Sequence, residues 1–397
     1  MKTQLLGIAL FTLTLAAVAV YPSINTPQTN SDPAVARTHQ LASTPIIDVV
    51  FVLDTTGSMS GLIQTAKDKI WSIATTMTSA QQTPNIRIGL VGFRDRGDEY
   101  VTRVIDLSDD LDSVYASLME FQAAGGGDGP ESVNKALYDA VHGISWSQDP
   151  RAYQVVFLVG DAPPHMDYPN ELRYPEIIAM ANRKGIVVNT IQCGDVASTL
   201  ASWQSIAGLG NGRFFQVEQA GSAVAVVSPF DAEIAALSEK MDSTRLYYGS
   251  AEEKAKMQNK VEATEKLNKQ ASIASRARRG AFNASAGGKK NLLGENELVD
   301  AVASGRVDLD TIDKEALPAS LKPLAPEEQR ALIAQVAGER RELERQVQEL
   351  AQKRDSYIAG KIEADGGADD SLDHKLYDAV REQAAKAGLE YSDGPRY

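Results

Sequence analysis

Ile46-Ile47-Asp48-Val49-Val50-Phe51-Val52-Leu53 runs straight into Asp54-Thr55-Thr56-Gly57-Ser58-Met59-Ser60, and this junction decides the fold. An apolar run of this length predicts a strand buried on both faces, as in a parallel sheet covered by helices. It ends in a carboxylate, two hydroxyls two residues apart, and a glycine turn into a helix predicted over 61–78. Hard divalent cations take oxygen ligands and Mg²⁺ keeps several waters, so these three side chains make half a cation site. The plainer role for such residues is to cap the helix.

The same alternation continues outward. Further strands are predicted at 86–94, 101–107, 153–159, 186–193 and 213–217, with helices at 131–143, 175–184, 200–209 and 221–241. The third strand follows the second after a Gly-Asp turn and is expected at an antiparallel edge. The fold class is therefore α/β: a doubly wound, mainly parallel sheet with one antiparallel edge strand, then an α-helical region. Such sheets bind ligands at the carboxyl ends of strands, near the reversal of strand order, which is where Asp54 falls.

Two later loops complete the pattern: Gly125-Gly126-Gly127-Asp128-Gly129-Pro130-Glu131 and Val159-Gly160-Asp161-Ala162-Pro163-Pro164-His165. Asp54, Asp128 and Asp161 follow one another at intervals of 74 and 33 residues. The set resembles the metal-ion-dependent adhesion site of von Willebrand factor type A domains, over residues 45–245. The resemblance implies Asp54, Thr56, Ser58, Asp128 and Asp161 as the metal residues, with Asp161 holding a metal-bound water. It also implies Mg²⁺, with Mn²⁺ or Ca²⁺ as substitutes, and a protein partner captured through the metal. Where the family usually offers threonine, Asp128 adds negative charge, which strengthens cation binding and lowers the metal's demand for an outside carboxylate.

Neighbouring residues receive plainer roles. Glu131 reads as a cap of its own helix, His165 as a surface loop residue, and Met59 and Ser60 as helix entry. Arg96-Gly97-Asp98 reads as a hairpin turn, and Asp98 is expected to matter neither to metal nor to partner. Arg94 and Asp95 are placed to brace the site through a salt bridge. Cys193, the single cysteine, reads as a buried strand residue and rules out an intramolecular disulfide or cysteine-based zinc site.

The chain has 397 residues, 43% of them apolar, and a formal net charge of −13, which argues against nucleic acid as a partner. Residues 44–245 hold 25 acidic and 14 basic residues, so most of that charge lies with the proposed cation site. Lys2, the uncharged run Leu5 to Val20 and Ala17-Val18-Ala19 read as a signal peptide over 1–19, retained as a membrane anchor in the alternative. Export to the periplasm or medium is the expected location. Residues 20–44 read as a flexible linker and 246–397 as a helical C-terminal region.

Within that region 251–279 is expected as one polar helix, 280–296 as a glycine hinge, and Pro318, Pro323 and Pro326 as an extended link. A long helix over 327–358 carries an apolar stripe, interrupted at Glu339-Arg340-Arg341, suited to a neighbouring helix or a coiled coil. Lys353-Arg354-Asp355-Ser356-Tyr357-Ile358 and the segment 372–380 resemble tails of bacterial exported proteins of the same family. The leading function is a metal-dependent protein-binding module without catalytic residues. The alternatives are a metal-dependent hydrolase, for which no general base or nucleophile motif is found, and a scaffold working through the C-terminal helices.

Overall fold

The computed structural model describes residues 44–61, 63–127, 129–217, 226–364 and 372–391. The signal segment 1–19, linker residues 20–43 and Asp128 lie outside the described residues. Among those described, no helix is long and apolar enough to cross a membrane.

Six strands form one sheet: β1 (Ile46–Asp54), β2 (Asn85–Phe93), β3 (Thr102–Ser108), β4 (Tyr153–Gly160), β5 (Ile186–Cys193) and β6 (Asn211–Val217). Their order is β3-β2-β1-β4-β5-β6, parallel throughout except for antiparallel β3 at the edge. The order reverses between β1 and β4, with Leu53 opposite Val159. Hence Asp54 and Asp161 emerge side by side at the switch point.

Alternate residues of the central strands feed two cores, as the period of a strand requires. On one face Val50, Val52, Val156 and Leu158 pack against α3 (Val133–His142), α4 (Tyr174–Arg183) and α5 (Ala197–Leu209). On the other, Val49, Phe51, Val155 and Phe157 meet α1 (Ile63–Thr78) and α2 (Leu111–Leu118). Sequence reasoning missed α2. It is eight residues long and repeats the apolar spacing only once, at Leu111, Val114, Tyr115 and Leu118.

The remaining helices are α6 (Asp231–Ser243), α7 (Ala251–Gln270), α8 (Ile273–Asn283), α9 (Lys289–Leu293), α10 (Leu298–Ala303), α11 (Pro326–Ala364) and α12 (Leu372–Ala385). They do not stand apart: the described residues from Thr44 onward form one compact unit. Leu267 of α7, Phe282 of α8 and Leu376, Ala379, Val380 and Ala384 of α12 join the core of the second sheet face. Trp71 of α1 lies 5.8 Å from Phe282, centroid to centroid.

Three sequence expectations are corrected here. The single polar helix over 251–279 is two, broken at Ala271 and recapped by Ser272. The hinge over 280–296 is instead a tightly packed crossing. Gly280 lies within α8, where an added Cβ would meet Ser238 Cβ at 2.9 Å, and one on Gly287 would collide with Thr78. The proline-rich link is folded in rather than extended, with Leu317 and Leu321 buried in a small core of their own.

Charge holds the helices in place. Arg279 of α8 is fully buried and pairs through two nitrogens with Asp112 of α2, at 2.7 Å each, and with Asp242 of α6 at 2.8 Å each. Burial pushes the Asp112 carboxyl up, but Arg279 and Lys260 outweigh it and hold it well below the usual range. Arg340 and Arg354 of α11 repeat the device with Glu297 and Asp231. The break in the α11 stripe is thus a buried ion pair, and its apolar seam packs within the chain on Ile234, Leu237 and Met241 of α6.

Removing one partner of such a pair strands the others. Arg279→Met should destabilise the protein by about 3–5 kcal/mol, because Asp112 and Asp242 lose the cation that hydrogen-bonds both of them. Urea denaturation monitored by far-UV circular dichroism checks this, and a loss under about 1 kcal/mol would mean that the ion pairs are incidental.

Candidate metal centre

Leaving β1, the side chains of Thr55 and Thr56 part to opposite sides, and the chain then enters a 3-10 turn over Gly57–Gly61. Thr55 turns inward, with its Oγ1 donating to Phe93 O at 2.8 Å and lying 2.8 Å from the Tyr100 hydroxyl. Asp54, Thr56 and Ser58 turn the other way. Thr56 donates to Asp54 Oδ1 twice, from its amide at 2.9 Å and its hydroxyl at 2.6 Å. Ser58 Oγ, 3.1 Å from Thr56 Oγ1, donates to Asp161 Oδ1 at 3.0 Å. Both hydroxyl protons are spent on carboxylates, which leaves their oxygen lone pairs available.

Four of the five sequence-predicted residues therefore converge, and the fifth, Asp128, lies outside the described residues. Asp54 is not the cap of α1. Its carboxylate is buried, and Oδ2 has no hydrogen-bond partner among the described residues. An anionic oxygen left so in a protein interior costs several kcal/mol unless a proton or cation meets it. Burial, and to a smaller degree Asp161, pushes the Asp54 carboxyl up to about 7 against the pull of Thr56. Burial also raises Asp161, opposed by Ser58. Two hard carboxylates and two hydroxyls suit Mg²⁺, Mn²⁺ or Ca²⁺. The donor set fits a divalent cation.

The loops are held by their backs. Gly160 allows β4 to pass close to Asp54, since a Cβ there would meet Asp54 Cβ at 2.8 Å. Thr199 Oγ1 and Trp203 Nε1 of α5 donate to Asp161 O and Ala162 O at 2.9 and 3.2 Å. Buried Arg94 donates to Thr55 O of the first loop and Gln122 O ahead of the second, at 3.3 and 2.9 Å. Asp95 accepts from Ser132 Oγ at 2.8 Å and from the Tyr168 hydroxyl at 2.6 Å. Both residues brace the site as expected, though each through other groups and not through one another.

Two expectations fail here. His165 is buried, 5% exposed, stacked 4.0 Å from Tyr168 and 3.4 Å from Asp95, so it is a strut of the third loop and not a surface residue. Glu131 does not cap α3, whose N-cap is Ser132. It is buried, joins the second loop to the third through Glu131 N to Pro163 O and His165 N to Glu131 O, and sets its carboxylate under Gly126. Asp98 lies in the turn expected, and its Oδ2 also accepts from Gly126 N at 3.0 Å. Cys193, by contrast, is the buried strand residue expected, its thiol pushed up by burial.

The raised Asp54 carboxyl sets a sign for pH dependence. The folded state holds this proton up to about pH 7, whereas the unfolded state releases it near 3.8. Its contribution is present at low pH and is lost as pH rises through that window. In chelator, the stability of wild type minus that of Asp54→Asn should fall by on the order of 2–4 kcal/mol between pH 4 and 7.5. Chemical denaturation at several pH values reads this, and a flat difference would remove Asp54 as a strained carboxylate.

The von Willebrand factor A domain family matches residues 48–219. Among solved structures, BatB from Bacteroides thetaiotaomicron is 16% identical, over 43% of this chain and 90% of that one, with a TM-score of 0.34. Proximal thread matrix protein 1 from the mussel byssus, solved with a zinc-occupied MIDAS motif, is 15% identical over 44% of this chain and 42% of its own, at 0.35. A von Willebrand factor type A protein from Catenulispora acidiphila is 17% identical over 44% and 39%, at 0.33. No curated protein matches the chain. With the sheet, the switch-point loops and the family match in agreement, residues 48–219 belong to the von Willebrand factor A domain family.

Proposed function

We propose that the chain is a metal-dependent protein-binding module, not an enzyme, in which Asp54, Thr56, Ser58 and Asp161, with Asp128, hold Mg²⁺. The observation that carries this is the buried Asp54 carboxylate, whose Oδ2 has no hydrogen-bond partner among the described residues, set among two hydroxyls and a second carboxylate. When bound, the cation supplies an open coordination position for an oxygen ligand of a partner protein. The chain's own part is to hold the donors rigid and keep the hydroxyl lone pairs turned to that position. The N-terminal reading supports export to the cell envelope, with Met1 to Ala19 removed or kept as an anchor.

Metal binding should be visible in stability. A cation at about 100 times its dissociation constant stabilises by roughly 2.7 kcal/mol. The cooperative unit spans roughly 350 residues from Thr44, so its unfolding entropy is on the order of 0.7 kcal/mol per degree. Saturating Mg²⁺ should therefore raise the wild-type melting midpoint by about 4 °C and leave Asp54→Ala unmoved. In pull-downs from native membranes, partner capture should disappear in chelator and return with Mg²⁺ or Mn²⁺. An equal thermal shift in both proteins, or capture indifferent to chelator, would defeat the proposal.

A further inference from the structure

The turn from Arg94 to Tyr100 touches the surroundings of all three site loops, yet supplies none of the candidate ligands. Arg94 and Tyr100 hold the first loop, Asp95 holds Tyr168 beyond the third, and Asp98 reaches the second. We propose that Asp98 is a positioning residue for the cation site, fixing the Gly125-Gly126 stretch of the second loop in the conformation that takes up metal. This inference rests on the cation reading above.

The geometry is specific. A single oxygen, Asp98 Oδ2, accepts from Asp95 N at 3.1 Å within its own turn and from Gly126 N at 3.0 Å across the gap. Gly125 and Gly126 have φ of 76° and 81°, a left-handed pair that only glycine adopts cheaply. A Cβ on Gly125 would overlap the Asp98 carboxylate. From the opposite side the first loop grips the same stretch, with Gly57 N donating to Gly125 O at 3.1 Å and Ala124 N to Thr55 O at 3.0 Å.

The second loop is thus clamped between the first loop and the hairpin, and Asp98 is the side-chain half of that clamp. Groups that orient metal ligands without touching the metal typically change its affinity roughly 10- to 100-fold when removed. The same contacts bear on the Arg96-Gly97-Asp98 tripeptide. Its carboxylate is engaged with two backbone amides and is not offered as a free anion to a receptor.

The test uses the full chain. Hydrogen–deuterium exchange in chelator reports on amides 122–127, and isothermal titration with Mg²⁺ reports on affinity. Asp98→Ala should speed exchange in that stretch and weaken Mg²⁺ binding roughly 10- to 100-fold. Asp98→Asn keeps an acceptor oxygen and should restore both to near wild type. Wild-type affinity in Asp98→Ala, or an Asn variant as impaired as the Ala one, overturns the inference alone. Wild-type protein that takes up no Mg²⁺ overturns the cation reading and this inference with it.

Discussion

Two carboxylates brought together in a protein interior cannot both stay anionic without a cation or a proton between them. Asp54 and Asp161 are in that position because β1 and β4 are neighbours whose ends coincide at the switch point. Nothing in the local chain compels the pairing; the sheet order imposes it. The rest of the site answers this constraint. Thr56 and Ser58 each donate a hydrogen bond to one carboxylate, and Arg94 and Asp98 of the hairpin bind the backbone of the first and second loops.

Elsewhere the protein solves the opposite problem. Arg279, Arg340 and Arg354 are buried cations, and each is matched by a buried carboxylate on a distant segment. Such pairs contribute little net stability compared with apolar substitutes, since desolvation offsets most of the attraction. They do penalise every arrangement in which the partners fail to meet. Asp112 lies on a short helix at the sheet, and its partner comes 167 residues later. The pairing therefore selects one docking of the later helices among many that would bury similar apolar area.

What the sequence displayed and what it hid follow from this division. The β1 junction, the glycine loop and the Val159–Asp161 turn are local patterns, and reading them in order placed Asp54, Thr56, Ser58 and Asp161 correctly at one sheet edge. The edge strand and the parallel core were legible for the same reason, since period and turn chemistry are local. Arg279, Arg340, His165 and Asp98 were not legible. Each is a polar residue buried or engaged by a partner remote in sequence, and hydrophobic periodicity counts a buried arginine as surface. Glycines misled in a related way. Gly280 and Gly287 look like a hinge in sequence, but they are small because another helix lies against them.

The last helix shows how far the site depends on the whole chain. The face of β4 and β5 presents Tyr153 and Asn189, both buried polar groups that need partners. Gln383 of α12 supplies them: its Oε1 accepts from the Tyr153 hydroxyl at 2.7 Å and Asn189 Nδ2 at 3.1 Å, and its Nε2 donates to Asn189 Oδ1 at 2.8 Å. Nearby, Tyr391 donates to Met77 O at the end of α1, the helix that begins just after the metal loop. The strand that leads to Asp161 and the helix that follows Asp54 are both contacted by residues beyond 380. Binding loops are positioned by the scaffold they spring from. The scaffold under the candidate cation site, read from residues 54 to 161, is therefore completed only when α12 and Tyr391 have docked.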